Sequence, residues 1–479
     1  MTTDGPENTT PNPRSSSTAE TTIAAISTPV GAGGIAVIRI SGNKALPILR
    51  AVFRPHSADC SFQSHQMYYG QVVDPGGAID SGSDTVIDEA LVVFMAGPKS
   101  YTREDVAEIH CHGNFLLAHR LLEVLLTQGA SLAEPGEFTK RAFVNGRIDL
   151  TRAEAVLDLL TARTRKGLEL AERQLAGMLF AQLEAVRGKL IEITALLEVA
   201  IDFPDDEAEM VDWPLLKRQL EHEIVAPLAN LLAISRQGQL VRDGAMVVIC
   251  GLVNAGKSSL LNALLRRDRA LVTAIPGTTR DTIEEYFDLN GLPVRCIDTA
   301  GIRHGADAVE EQGIARARAA IGQADLLLFV HDATRPWSEA ENELLAEVSG
   351  KPIMILVNKI DAVAEALVSL PETLPGKPLF ISATTGASLA ALRQAMFVKL
   401  TDGVNQWEEK ACAPNLRQTE ALRRGEEAAD AALATLAQRA PDLLAVDLRA
   451  CLDALNDIIG LTTNEDILDA VFSRFCLGK

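Results

Sequence analysis

Apolar positions recur along the chain in three successive rhythms. In TTIAAISTPVGAGGIAVIRISG, short apolar runs flank a glycine-rich segment, which predicts strands over Ile23–Ile26 and Ile35–Ile40 with a turn at Gly31–Gly34 between them. Strand-like runs at Ala90–Phe94 and Val106–Ile109 follow, with a helical pattern at Phe115–Leu126. Residues 21–145 therefore read as one small α+β domain. From Leu150 the rhythm is helical. Val156, Leu160, Leu168, Leu175, Leu179, Leu183, Val186 and Leu190 return at steps of three, four, seven or eight, with charged faces between them. That helical stretch reaches AIDFPDDE, where Pro204 interrupts it, and resumes from Trp213 to about Arg236.

The third rhythm alternates strand and helix. MVVICGL, PVRCIDTAG, ADLLLFVHD, PIMILVNKID and PLFISA are short apolar runs with polar ends, the form of buried parallel strands separated by amphipathic helices. Past Trp407 the helical pattern returns. The economical reading is an α/β nucleotide domain at 243–404 inserted into an α-helical domain formed by 146–242 and 405–479. A separate C-terminal bundle is the alternative.

Composition narrows the setting. The first twenty residues are polar and rich in Thr, Ser and Pro, and read as a disordered leader with the features of neither a signal nor a transit peptide. No run of eighteen apolar residues occurs, so a soluble, cytoplasmic protein without a membrane span is expected. Seven cysteines without a CxxC spacing suit a reducing compartment and suggest neither a disulfide framework nor a zinc site. With 45 basic against 64 acidic side chains, the formal charge is −19. Phosphate backbones attract basic surfaces, so any nucleic-acid contact has to come from a local patch or a partner protein.

The chemistry is concentrated in the third rhythm. GLVNAGKSSL fits GxxxxGK[ST] at Gly251, Gly256, Lys257 and Ser258, after a strand and before a helix. Backbone N–H groups there and the helix N-terminus can cradle phosphates, with Lys257 on the β- and γ-phosphates and Ser258 on Mg²⁺. GTTRD at 277–281, DTAG at 298–301, NKID at 358–361 and SA at 382–383 follow in the order of the five nucleotide motifs of GTPases. Asn358 and Asp361 would read the guanine edge, and Ser382 and Ala383 would complete that pocket, so GTP is favoured over ATP. The nucleotide contacts expected are Asn254, Ala255, Gly256, Lys257, Ser258 and Ser259 of the phosphate loop. Thr273, Ala274, Ile275, Pro276, Gly277, Thr278 and Thr279 would come from the first switch. Asp298, Thr299, Ala300 and Gly301 would come from the second, and Asn358, Lys359, Asp361, Ser382 and Ala383 from the base pocket. The position after DTAG, where many small GTPases carry a water-orienting glutamine, is Ile302.

Three further blocks, TTIAAISTPVGAGGIAVIRISG, EPGEFTKRAFVNGRIDLTRAEAVLDL and the terminal FCLGK, together with the inserted GTPase motifs, resemble the tRNA-modification GTPases of the MnmE (TrmE) family over residues 21–479. The resemblance implies a multidomain chain: an N-terminal α+β domain at 21–145 that binds tetrahydrofolate and forms a homodimer, an α-helical central domain, and an inserted α/β P-loop GTPase domain. It implies an enzyme that hydrolyses GTP with K⁺ stimulation and works with an FAD-dependent partner, MnmG (GidA), in a heterotetramer-type complex. Together they build an aminomethyl or carboxymethylaminomethyl group on C5 of the wobble uridine (U34) of tRNA, with 5-formyl- or methylene-tetrahydrofolate as one-carbon donor. By motif matching, Asn254, Thr273, Ile275 and Thr278 would supply oxygens to K⁺, and Thr279 would join Ser258 on Mg²⁺. The catalytic set would be Glu310, which assists the water, with Lys257 and Asn254; Glu311 is the rival of Glu310, and an ordinary turn residue is the alternative for Asn254. Folate contacts fall on Arg39, Glu108, Arg147 and Lys479, where Arg147 replaces the family's usual lysine. Cys476 is either a thiolate near the folate or a buried, inert side chain, and Thr462 with Glu465 is expected to cap the helix before it. His110 and His112 of HCHG are taken as structural, on opposite faces of a strand, and Asn114 stands where the family has a second glycine. The alternative function is a GTP-dependent RNA or ribosome assembly switch without carbon chemistry.

Overall fold

The computed structural model describes residues 21–29, 31–57, 61–76, 84–203, 211–268, 285–298, 318–348, 350–363, 369–403, 414–462 and 464–479. The chain forms two compact units, one made of the residues up to Leu157 together with Ile459–Lys479, the other of Asp158–Ile458. The last twenty-one residues, expected to belong to the helical domain, thus pack with the N-terminal part of the chain.

The first unit is built on a seven-stranded sheet. Its strands are β1 (Ile23–Ile26), β2 (Ile35–Ser41), β3 (Phe53–Pro55), β4 (Gln66–Asp74), β5 (Thr85–Met95), β6 (Val106–His112) and β7 (Ser131–Leu132), in the order β3-β4-β5-β6-β2-β1-β7. Alternation sets the faces. Ile38, Ile40, Ile109 and Cys111 point into the main core beneath the helices Ala45–Val52 and Phe115–Thr127, while Ile23, Ala25, Ala133 and Phe138 cover the opposite face. Asn114 is the N-cap of the second of these helices, its side chain accepting from the N–H groups of Leu116 and Leu117. An asparagine here satisfies two otherwise orphaned donors, which glycine could not do.

The C-terminal segment closes this unit. Helix Glu465–Phe472 starts at Asn464, whose side chain accepts from the Asp466 N–H, so the cap is Asn464 and not Thr462. Leu468, Val471, Phe472 and Phe475 pack against Leu150 and Ala153. Lys140 Nζ reaches Asp469 Oδ1 at 2.6 Å, and Ser27 Oγ donates to Gly478 O at 3.1 Å. Gly478 has φ +89°, and a Cβ on it would lie 2.4 Å from Ile26 O. Only glycine fits that approach.

In the second unit the helical rhythm is broken where the sequence suggested continuity. Helices Arg165–Leu175 and Met178–Asp202 are separated by Gly177 at φ +91°, a left-handed position that ends one helix and begins another direction. Helix Trp213–Gln219 continues through a π-helical segment, Leu220–Val225, into Ala226–Asp243. Helices Leu416–Leu436 and Pro441–Ile459 complete the helical part.

The inserted sheet contains β8 (Ala245–Cys250), β9 (Glu285–Leu289), β10 (Leu292–Asp298), β11 (Leu326–Asp332), β12 (Ile353–Asn358) and β13 (Leu379–Phe380), in the order β13-β12-β11-β8-β10-β9. Every pairing is parallel except β9 with β10. β11 is buried along its whole length, as a central strand covered on both faces requires. β9, an antiparallel edge strand, was not apparent from the sequence. Among the described residues no helix is long and apolar enough to cross a membrane.

Candidate functional site

The central strand β8 ends in the loop Gly251–Gly256, which enters the helix Lys257–Asp268. Three residues of this loop hold positive φ: Gly251 at +141°, Asn254 at +66° and Gly256 at +93°. A Cβ on Gly251 would lie 2.3 Å from Val330 O, and one on Gly256 would lie 2.3 Å from Asn358 Nδ2. The two glycines therefore let the loop press against its neighbours, and the turn leaves successive N–H groups at a helix N-terminus, an arrangement that suits an anion. Lys257 is 6% exposed, and its ammonium donates to Gly251 O (3.0 Å) and Leu252 O (2.7 Å). Ser258 and Ser259 are exposed at the start of the helix.

The end of β12 is joined to this loop by side chains. Asn358 is 2% exposed; its Nδ2 donates to Ala255 O (3.0 Å) and its Oδ1 accepts from the Ala383 N–H (3.0 Å). Lys359, at φ +69°, donates to Asn254 O (2.7 Å) and to Asp332 Oδ2 (2.6 Å). Burial pushes the Asp332 carboxyl up, but hydrogen bonds from Lys359 and Thr334 outweigh it and hold the group below its ordinary range. Ser382 Oγ donates to Asp361 Oδ1 (2.6 Å) and accepts from the Thr385 N–H (3.1 Å), fixing the exposed Asp361 carboxylate. The base-pocket residues and the phosphate loop are thus tied into one hydrogen-bonded body.

Other expected residues of this site are not placed. Thr273 to Thr279, Thr299, Ala300, Gly301, Ile302, Glu310 and Glu311 lie outside the described residues, as does Pro204. Asp298 ends β10 in register with Ile249 of β8, and only its backbone is described. Asp332 was not singled out from the sequence, although its position at a strand end three residues before Arg335 was visible.

A second cluster lies on the sheet of the first unit. Arg39 of β2 and Glu108 of β6 are cross-strand partners, and Arg39 Nε meets Glu108 Oε1 at 2.8 Å, each side chain 17% exposed. His110 Nε2 approaches Glu108 Oε2 at 3.4 Å. The His110 contact and the Arg39 charge, acting against burial, hold the Glu108 carboxyl below its usual range. The Arg39 guanidinium lies over the rings of Tyr101 (5.6 Å) and Phe138 (5.7 Å). Arg147 covers the same Tyr101 ring at 4.7 Å and donates to Tyr101 O at 2.8 Å. Burial pushes the Lys479 ammonium down, and the Arg39 charge adds to this, while Glu108 and Cys476 oppose it. The four side chains expected to contact folate therefore belong to one unit: Arg39 and Glu108 are paired, Arg147 shares an aromatic platform with Arg39, and Lys479 feels the charge of both members of the pair. A carboxylate held ionised beside a guanidinium offers an acceptor and donors side by side, which suits a flat heterocycle carrying both N–H groups and a carbonyl. Tyr101 lies in no motif, and Phe138, although within EPGEFTKRAFVNGRIDLTRAEAVLDL, gave no local sign that its ring would lie against Arg39.

His110 and His112 stand two residues apart on β6 and so share a face, contrary to the expectation of opposite faces. Their partners still separate them: His110 meets Glu108, and His112 Nδ1 meets Asp88 Oδ1 at 2.8 Å. Among the described residues no group of three or more His, Cys, Asp or Glu side chains could hold a metal ion. Cys476 is exposed.

A phosphate loop after the central strand, tied to an NKID loop and a Ser-Ala turn at the neighbouring strand ends, defines a P-loop GTPase. The family described as MnmE helical domain matches residues 150–476, and the one described as GTP-binding protein TrmE N-terminus matches residues 22–147. The tRNA modification GTPase MnmE of Desulfotalea psychrophila is 51% identical over 465 residues, covering 96% of this chain and 98% of the relative. That of Geobacter metallireducens is 44% identical, covering 96% and 99%. Among solved structures, Aquifex aeolicus Era bound to GDP·AlF4⁻ aligns with 38% of this chain and 66% of its own at 28% identity, with a TM-score of 0.28. The chain belongs to the MnmE family of tRNA modification GTPases and is a GTP-hydrolysing enzyme.

Proposed function

We propose that this enzyme acts in the C5 modification of the wobble uridine of tRNA, adding an aminomethyl or carboxymethylaminomethyl group as a homodimer with the FAD-dependent partner MnmG. The observation that carries this reading is the coexistence, in one chain, of a guanine pocket fused to a phosphate loop and a separate Arg39–Glu108 cluster near which the C-terminal segment docks. A switch that only assembles RNA or ribosomes has no use for the second cluster.

In the GTPase site, Lys257 neutralises the β- and γ-phosphates, the loop N–H groups hold the remaining oxygens, and Asn358 and Asp361 select guanine. Ser258 and Thr279 would hold Mg²⁺, and Asn254, Thr273, Ile275 and Thr278 would hold K⁺. When bound, these cations spread the charge that develops on the transferred phosphoryl group. Glu310 orients the attacking water, in place of the glutamine for which Ile302 is substituted. The loop fits these groups because its left-handed turn leaves Asn254 at the rim with its side chain exposed.

In the first unit, Arg39, Glu108, Arg147 and Lys479 hold the tetrahydrofolate, which carries the one-carbon unit. Glu108 would suit the donor edge of the pterin, and the cationic side chains would suit its carbonyl or the glutamyl carboxylate. Titration calorimetry with 5-formyl-tetrahydrofolate on the full chain tests this: heat is expected with the native protein and none with Arg39→Ala. No heat with the native chain overturns the folate reading and favours the assembly switch. Exchanging K⁺ for Na⁺ in a GTPase assay is expected to slow turnover in the native chain and to have little effect on Asn254→Ala; equal native rates in both salts remove the K⁺ assignment.

A further inference from the structure

We infer that Asp332 is a positioning residue of the GTPase site, governing nucleotide release by holding Lys359 against the phosphate loop. The inference rests on the GTPase activity and is independent of the folate reading. Asp332 ends the central strand β11, paired in register with Asn358 of β12, and its side chain is 8% exposed. Its two oxygens have separate tasks. Oδ1 accepts from the Thr334 N–H (3.0 Å) and Thr334 Oγ1 (2.7 Å), shaping the turn that follows the strand. Oδ2 accepts from Lys359 Nζ at 2.6 Å, with the exposed Arg335 more distant at 3.9 Å.

The same Lys359 ammonium donates to Asn254 O, so one cation links the carboxylate to the phosphate loop. Both residues at the ends of that link, Asn254 at φ +66° and Lys359 at φ +69°, hold a left-handed backbone that non-glycine residues adopt at a cost. Such conformations persist when their surroundings over-determine them. The Lys359 side chain is one-third exposed, so without a counter-charge its ammonium gains by turning to water. Asn254 O then loses its donor, and the loop is left to the Asn358–Ala255 bond. The carboxylate on the central strand therefore acts on bound nucleotide at second hand, through the lysine.

Release of a fluorescent GDP analogue from the full-length protein tests this. Asp332→Asn keeps the shape and an acceptor for Thr334 but removes the charge. Release is expected to quicken about tenfold, a change typical of removing one partner from a partly buried charge pair, while kcat at saturating GTP changes less. On a Lys359→Met background the same substitution is expected to add less than about twofold, because the two residues act through one bond. Thr334→Ala is expected to lower the thermal midpoint and leave release unchanged. Should Asp332→Asn fail to fold, Asp332→Ser carries the same expectation. Native release rates in Asp332→Asn, an equal effect with and without Lys359, or faster release in Thr334→Ala would each overturn the inference. A native chain that binds no GDP analogue would instead refute the GTPase reading.

Discussion

The phosphate loop takes its parts from eight consecutive positions, Gly251 to Ser258, and is held largely by backbone groups and by Asn358 and Lys359 at a neighbouring strand end. The Arg39 cluster takes its parts from Arg39, Tyr101, Glu108, Phe138, Arg147 and Lys479, and is held by side chains facing one another across a sheet. The first arrangement fixes its shape through glycines that admit no side chain, and the second through pairing of charges and rings. A site of the first kind tolerates almost no change of backbone. One of the second kind depends on distant segments arriving together, and its weak points lie as much in the fold as in the site.

That contrast can be broken in several places. The largest effect is expected from Gly256→Val, since a Cβ there lies 2.3 Å from Asn358 Nδ2 at a φ of +93°. Binding of a GDP analogue should fall by about 100-fold or more, given the strain added to a left-handed position. The folate heat should stay unchanged. Gly478→Ala is the counterpart in the other unit: its Cβ would lie 2.4 Å from Ile26 O at φ +89°. It should destabilise the first unit by about 1–3 kcal/mol and weaken folate binding, with GDP binding intact. The described tryptophans, Trp213 and Trp337, fall within the second unit, so far-ultraviolet circular dichroism is the better reporter of this loss.

A smaller effect follows from pH. Glu108 is held below its ordinary value of 4.5, first by His110 and then by Arg39 against burial. A depressed carboxyl contributes stability that is fully present above the unfolded value and is lost as pH falls through the folded one. The resistance of the first unit to urea should therefore fall below about pH 4.5, and Glu108→Gln should flatten that part of the profile. The smallest perturbation is chemical. Burial pushes the thiols of Cys250 and Cys451 up to about 12 and that of Cys111 up to about 11, whereas Cys476 is exposed. Among these cysteines a maleimide should label Cys476 first and leave the others until unfolding. Rapid labelling of Cys250 in the native chain would show the second unit to be looser than its packing implies.

What could be read in advance followed the same divide. The apolar runs ending at Cys250, Asp298, Asp332 and Asn358 announced parallel strands, and the spacing from Gly251 to Ser258 announced the phosphate loop, because both signals are local. β3, β4 and β9 escaped because they are short or alternate weakly. The break at Gly177 was hidden by apolar positions that keep helical spacing across it. Arg39 and Glu108 could be named through resemblance, but their mutual contact and the Tyr101 platform exist only once β2, β6 and the later loops have assembled. The shared face of His110 and His112 follows from the two-residue pleat of β6 alone.

The first unit is completed by Ile459–Lys479, which a ribosome reaches only after making everything from Asp158 to Ile458. At roughly 5–20 residues per second, the early sheet waits on the order of 15–60 s during synthesis for the helix that covers Leu150 and Ala153. Over that interval the GTPase core can already have folded, so a protein numbered from its amino end is finished, in time, from the middle outward.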